Sequence, residues 1–223
     1  TVTNEKDATF TGAQVIPDIF TNEPDVAYAT SNRDNTRKVY KVNLKTLEPI
    51  GGPVFQVPGY DVEGLIESKD HRSLAGVRYV TNRSLTKWFD PRLAEIQKIF
   101  DEDFGEGNTK ILSSNEADTR LVLFIGKPSE PGSFYVFDTD SGSLAVLGYY
   151  HPEIKDAELN PTETVRYKAS DGMEIAAVIT YPRHRPARKN LPVIVMPHGG
   201  PFGIRDQEEF GFFPWHQAMA ELG

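Results

Sequence analysis

The chain has 223 residues, 39% hydrophobic and 25% charged, so it can bury a substantial core and is not of disordered composition. Its 24 basic against 32 acidic residues leave a net charge of −8, which argues against a general binder of nucleic acid or of anionic membranes. With no cysteine, disulfides, Cys-ligated zinc and a cysteine nucleophile are excluded together.

The first residues, TVTNEKDATF, have neither a basic start nor an apolar h-region and do not form a signal peptide; any targeting signal is expected upstream. No run approaches the roughly 18 apolar residues of a membrane helix, so no membrane partner is expected. The compartment stays open between cytoplasm and bacterial periplasm.

Residues 1 to about 160 read as short strands separated by turns. Val26 to Thr30 is followed by a polar turn, Ser31 to Thr36, and then by Lys38 to Leu44, which alternates with period two. Asp61 to Ile66, Ser73 to Val80 and Ser84 to Phe89 continue the series. Asp90 is a good N-cap and Pro91 a good first helical residue, and Leu93, Ile96, Ile99 and Phe100 recur at helical spacing. The acidic Asp101, Glu102 and Asp103 oppose the helix dipole, which predicts a loosened C-terminal end.

Lys110 to Ser114, Arg120 to Ile125, Ser133 to Asp138 and Ser143 to Leu147 form a second set of strands, with Gly142 available for positive φ in the turn after Asp138. Four strands in about 40 residues is the spacing of a β-propeller blade, and an all-β sandwich offers similar strands. The repeat signal is the aromatic, alternating strand ending in a polar turn, seen at Val39 to Thr46 and again at Phe134 to Gly142.

Between Tyr149 and Thr164 the composition shifts to an interdomain linker containing His151-Pro152 and Asn160-Pro161. Thr164 to Ala169 and Met173 to Tyr181 then predict a hairpin about Ser170-Asp171-Gly172. Arg183 to Asn190 reads as a solvated basic loop. The next stretch, LPVIVMPHGGP from Leu191 to Pro201, predicts a strand buried on both faces that breaks at a glycine-rich turn. At the end of the chain Pro214, Trp215, Ala218, Met219 and Leu222 predict a helix with an apolar stripe, closed by Gly223.

His198-Gly199-Gly200-Pro201 is the strong chemical signal. Acyl transfer builds negative charge on a carbonyl oxygen, and a preorganised backbone N–H stabilises it; Gly200 is the natural donor because no side chain obstructs the approach. Gly-Gly-Pro would also serve as a plain tight turn. The position after a hairpin and an apolar strand favours the chemical reading, because α/β-hydrolases carry an HGG-type oxyanion loop there. Arg205-Asp206 fits an ion pair or cap bracing the loop. His198 can orient the loop through a ring hydrogen bond, and it has no second ligand at metal-binding spacing.

On these residues the tail from Val165 resembles the start of the catalytic domain of the prolyl oligopeptidase family of serine peptidases. The matching text is VRYKASDGMEIAAVITYP, LPVIVMPHGGPFGIRD and the aromatic-rich approach to WHQAMAELG. Ser170-Asp171-Gly172 resembles that family's first hairpin turn, and Thr180-Tyr181-Pro182 its strand end. HGGP is closest to the acylaminoacyl-peptidase and dipeptidyl-peptidase-like branch; other branches carry an aromatic residue at the place of His198. The resemblance implies an N-terminal β-propeller, Gly200 as the oxyanion-loop glycine, a short peptide as substrate and no cofactor. Propeller acids bind a peptide N-terminus in some branches, and nothing singles one out here.

The departure from the family is large. Its serine sits in a G-x-S-x-G elbow, followed by Asp and then His, and no G-x-S-x-G occurs in this sequence. Gly132-Ser133 and Gly142-Ser143 lack the flanking pattern, and His184, His198 and His216 have no nucleophile ahead of them. The expectation is therefore an internal fragment. A partial β-propeller of several four-stranded blades spans residues 1–160, and the N-terminal part of an α/β-hydrolase domain spans 161–223, with the triad outside the chain. An esterase or lipase, which more often spells the loop HGGG and lacks a propeller, and a propeller binding module with a vestigial hydrolase segment are the alternatives. Alone, the chain is expected to be inactive, and to self-associate or pair with a complementary fragment through its unpaired edges.

Overall fold

The computed structural model describes residues 14–155, 157–200, 204–209 and 215–223. The described residues form four small antiparallel sheets and few helices. The chain divides into two compact units between Lys98 and Ile99, within its first helix.

In the first unit β1 (Val15–Phe20), β2 (Val26–Ser31) and β3 (Lys38–Asn43) pair in that order. The alternation of β2 and β3 is legible in the sequence; that of β1 is not, because Pro17 interrupts it. The register of β1 shifts between Pro17 and Ile19, and an edge strand with a bulge is where a residue lacking an N–H can sit. Across β2 and β3, Ala27 faces Val42 and Ala29 faces Tyr40, a small side chain opposite a large one, and all four are buried in one cluster. The other face places Ile19 and Val39 in a second core with Val62, Leu65, Leu74 and Val77 of the next sheet. That sheet is β4 (Val62–Glu67), β5 (Leu74–Val80) and β6 (Ser84–Trp88). The outer edge of β3 is also occupied: the Ile50 N–H donates to the Lys41 carbonyl at 2.8 Å, and the Val39 N–H to the Phe55 carbonyl at 2.9 Å. An irregular fourth segment therefore shields that edge.

Helix α1 (Pro91–Phe104) starts where its cap predicts. The Asp90 carboxylate accepts from the Arg92 N–H at 2.9 Å and the Leu93 N–H at 3.0 Å, satisfying two otherwise unpaired donors. Leu93, Ile96 and Phe100 are buried, whereas Ile99 is 48% exposed. The expected loosening at Asp101 to Asp103 is not seen. Gly105, at φ 91°, donates to the Asp101 carbonyl, and the Asn108 amide donates to the Phe104 carbonyl at 2.6 Å. A left-handed glycine and a side-chain cap outweigh the unfavourable dipole term.

The second unit contains the expected four-stranded set: β7 (Thr109–Ser114), β8 (Arg120–Ile125), β9 (Ser133–Asp138) and β10 (Ser143–Tyr149), adjacent in chain order. Leu121 and Leu123 are fully buried opposite Phe137 and Tyr135, and the Phe100 ring meets Phe137 edge-on at 5.0 Å. Phe124, Phe134 and Tyr150 form a second aromatic group, with ring centres 5.4, 5.9 and 6.2 Å apart. Gly132, at φ 88°, abuts this group, and a methyl there would run into the Phe124 ring and reach 3.1 Å from the Ile125 carbonyl. Gly132→Ala combines overpacking with a left-handed backbone, so its expected cost is about 2–4 kcal/mol, read from urea unfolding.

Beyond a short 3-10 turn at Pro152–Ile154, β11 (Thr162–Lys168) and β12 (Glu174–Thr180) make the predicted hairpin. Its turn is closed by Gly172, at φ 87°, donating to the Ala169 carbonyl at 2.9 Å. Helix α2 (Trp215–Leu222) follows, and the expected Pro214 start lies outside the described residues. The apolar stripe is exposed, with Trp215 at 65% and Leu222 at 90%, whereas Gln217 is buried. No helix among the described residues is long and apolar enough to cross a membrane.

The buried strand expected at Val193 to Met196 is not formed. Leu191 to Gly200 has no regular secondary structure, and Val193, Ile194 and Val195 are 76%, 65% and 82% exposed. A parallel central strand exists only by hydrogen bonding to neighbours on its edges. Among the described residues no strand pairs with this segment, so its backbone remains open to water.

Candidate active site

The HGGP segment is exposed up to Gly200, and Pro201 lies outside the described residues. The His198 ring donates from Nδ1 to the Gly199 carbonyl at 2.5 Å. That carbonyl belongs to the same peptide unit as the Gly200 N–H. In a planar trans peptide the two point in opposite directions, so fixing the carbonyl on His198 turns the Gly200 N–H outward, away from the ring. Gly199 has open space where a Cβ would stand. The contact thus ties the orientation of this peptide unit to the neighbouring ring.

Beyond the undescribed residues 201–203, Arg205 and Asp206 are half-buried. The acids that follow make the fastening contacts. Glu208, 8% exposed, accepts the Thr164 N–H of β11 at 2.7 Å, and Glu209 pairs with Lys110 of β7 at 2.6 Å.

A second polar group joins Asn160 to Arg183 and to α2. Asn160, read from sequence only as linker, is 3% exposed and exchanges hydrogen bonds with Gln217 of α2. Its side-chain oxygen accepts the Arg183 N–H at 2.8 Å. The Arg183 guanidinium reaches both carboxylate oxygens of Glu221, at 3.1 and 3.2 Å, and Glu158 at 3.2 Å. Arg188 pairs with Glu163 at 3.1 Å and stacks 4.1 Å above the Tyr181 ring. The basic loop is exposed, as the sequence reading expects, and two of its arginines make surface ion pairs there. The available signals were an Asn just ahead of Pro161 and a lone Gln within an apolar helical run, both ordinary enough to pass unnoticed.

Two titrating groups make α2 acid-sensitive. The Arg183 guanidinium hydrogen-bonded to Glu221 holds that carboxyl below the usual glutamate range, so its contribution is complete above about pH 4.3 and is lost as pH falls through the lowered value. Burial keeps His216 neutral and lowers its pKa, so the unfolded helix binds the extra proton and stability declines below about pH 6.5. Both effects have the same sign. Amide-exchange protection of α2, corrected for intrinsic rates, is expected to fall below about pH 6.5 through His216 and further below about pH 4.3 through Glu221.

No family model matches the sequence, and no curated protein matches it. Among solved structures it is similar to dipeptidyl peptidase 4 of Porphyromonas gingivalis, with a TM-score of 0.58 and 15% identity, over 92% of this chain and 29% of that one. The chain shares its fold with part of that dipeptidyl peptidase. Looser matches are a puromycin-hydrolyzing peptidase of Mycobacterium tuberculosis (TM-score 0.47, 16% identity, 77% of this chain and 26% of that one) and prolyl oligopeptidase B of Galerina marginata (TM-score 0.45, 17% identity, 76% and 24%). These neighbours are peptidases of the prolyl oligopeptidase family. The chain spans between about a quarter and a third of their lengths.

Proposed function

We propose that this chain is part of a serine-type peptidase of the prolyl oligopeptidase family and carries its oxyanion loop. The observation that supports the reading is the His198 contact to the Gly199 carbonyl within HGGP, which turns the Gly200 N–H away from the ring. The shared fold with a dipeptidyl peptidase over 92% of the chain supports it. In this reading residues 1–160 are a partial β-propeller of four-stranded blades, and 161–223 begin an α/β-hydrolase domain.

A serine hydroxyl elsewhere in the full-length protein attacks the scissile carbonyl carbon, giving its proton to a histidine base. The carbonyl π electrons move to the oxygen, which the Gly200 N–H stabilises. Collapse of this intermediate expels the amine, which takes the proton, and water then releases the acyl group by the same steps. His198 orients the donor, Gly199 and Pro201 shape the loop, and Arg205 and Asp206 brace it. The substrate is a short peptide.

Chromogenic aminoacyl and acylaminoacyl anilides, compared with the corresponding esters, test this on the full-length protein. Anilide turnover is expected, whereas turnover of esters alone would identify an esterase.

For the isolated chain the partner is a second copy or a complementary fragment. Val193 to Val195 are exposed, and β10 is an uncharged edge strand with Val146 and Leu147 52% and 63% exposed. Light scattering of the isolated chain is expected to show association, and a clean monomer would contradict it.

A further inference from the structure

We propose that Asn160 and Gln217 are positioning residues for the oxyanion loop, closing the base of the segment that carries it; this rests on the peptidase reading above. Arg183 is where the chain leaves β12 for the loop, and Gln217 is where it returns in α2. Both ends are held by one side-chain amide pair. The Arg183 N–H donates to Asn160 Oδ1 at 2.8 Å, and the Asn160 N–H donates to Gln217 Oε1 at 2.7 Å. Gln217 Nε2 donates to the Asn160 carbonyl at 3.0 Å and to Thr162 Oγ1 at 3.3 Å. Asn160 Nδ2 donates to the Gln217 carbonyl at 3.1 Å and to Glu221 at 3.3 Å.

Every polar atom of both side-chain amides is thereby used, in residues only 3% and 6% exposed. A fully satisfied buried network specifies one arrangement, because any shift leaves a donor or acceptor unpaired away from water. Hydrophobic packing alone would let α2 slide along β12. The amide pair does not, and so it fixes the spacing of the two points from which the loop is hung. An oxyanion donor loses much of its effect if displaced by about 1 Å, so that spacing bears on kcat.

The test uses the full-length protein and two variants. Gln217→Glu keeps the shape of the side chain but removes both Nε2 donors. Thr162→Val removes one acceptor and serves if the first variant does not fold. Active sites are titrated with a fluorophosphonate, so that kcat is expressed per competent site and loss of folded protein does not count.

For Gln217→Glu a roughly tenfold to hundredfold fall in kcat per site is expected, with KM changed by less than about threefold and faster amide exchange in α2. Thr162→Val is expected to cost about threefold in kcat in the same way. A labelled native protein whose variants keep their kcat per site would overturn the positioning role alone. A native protein that takes no label would overturn the peptidase reading, and this inference with it.

Discussion

Gly200→Pro in the full-length protein is expected to lower kcat by about 10²–10³-fold with little change in KM, because it deletes the N–H proposed to meet the oxyanion. The substrate carbonyl carries little charge before reaction, so the lost donor is felt mainly in the transition state. His198→Ala is the graded companion. It leaves the Gly200 N–H in place but releases the Gly199 carbonyl that the ring holds, so the peptide can rotate. The expected loss is about tenfold, the value of one orienting hydrogen bond. If His198→Ala matched Gly200→Pro in effect, the ring would be touching substrate rather than orienting the loop. Steady-state kinetics on an anilide substrate separate these outcomes.

Leu123→Ala carries the largest expected effect on stability. Leu123 is fully buried in the middle of β8, opposite Ile111 of β7 and Tyr135 of β9. Strands on both sides hold the backbone, so the site cannot collapse to fill the space left by the side chain. Such truncations cost about 2–5 kcal/mol, which corresponds to a fall of roughly 1–2 M in the urea midpoint of the transition that melts this sheet. Leu112→Ala is the control: Leu112 lies on β7 at 51% exposure, and a change within about 0.5 kcal/mol is expected.

The sheets were legible in the sequence because their strands alternate and their turns contain residues suited to turning. The four strands from Thr109 to Tyr149 lie within two residues of where alternation places them. So does α1, whose start is written in Asp90 and Pro91. The firm end of α1 has a local cause in Gly105 and Asn108, whereas other differences depend on partners remote in sequence. An apolar run such as Val193 to Met196 is compatible with a buried strand, but the strand forms only beside neighbours, and the described residues provide none. On α2 the apolar stripe is exposed although burial usually follows hydrophobicity. Here a network of hydrogen bonds from Asn160 draws Gln217 in instead.

For the candidate site, the motif is visible in HGGP, and the proposal of Gly200 as donor is drawn from that motif. The His198 contact that orients this peptide fits the role a ring hydrogen bond could play there. What local pattern could not supply was the fastening of the loop. Glu208 on β11, Glu209 on Lys110 and Asn160 on Gln217 join residues between 44 and 99 positions apart. Periodicity has no access to such pairs.

The most direct test of the oxyanion-loop assignment is fluorophosphonate labelling of the full-length protein, followed by peptide mapping, beside the same experiment on the 223-residue chain. The expected result is one labelled serine, located outside this chain, with the chain alone unlabelled. A full-length protein that takes no label, or a label on Ser133, Ser143 or any other serine of this chain, would contradict it.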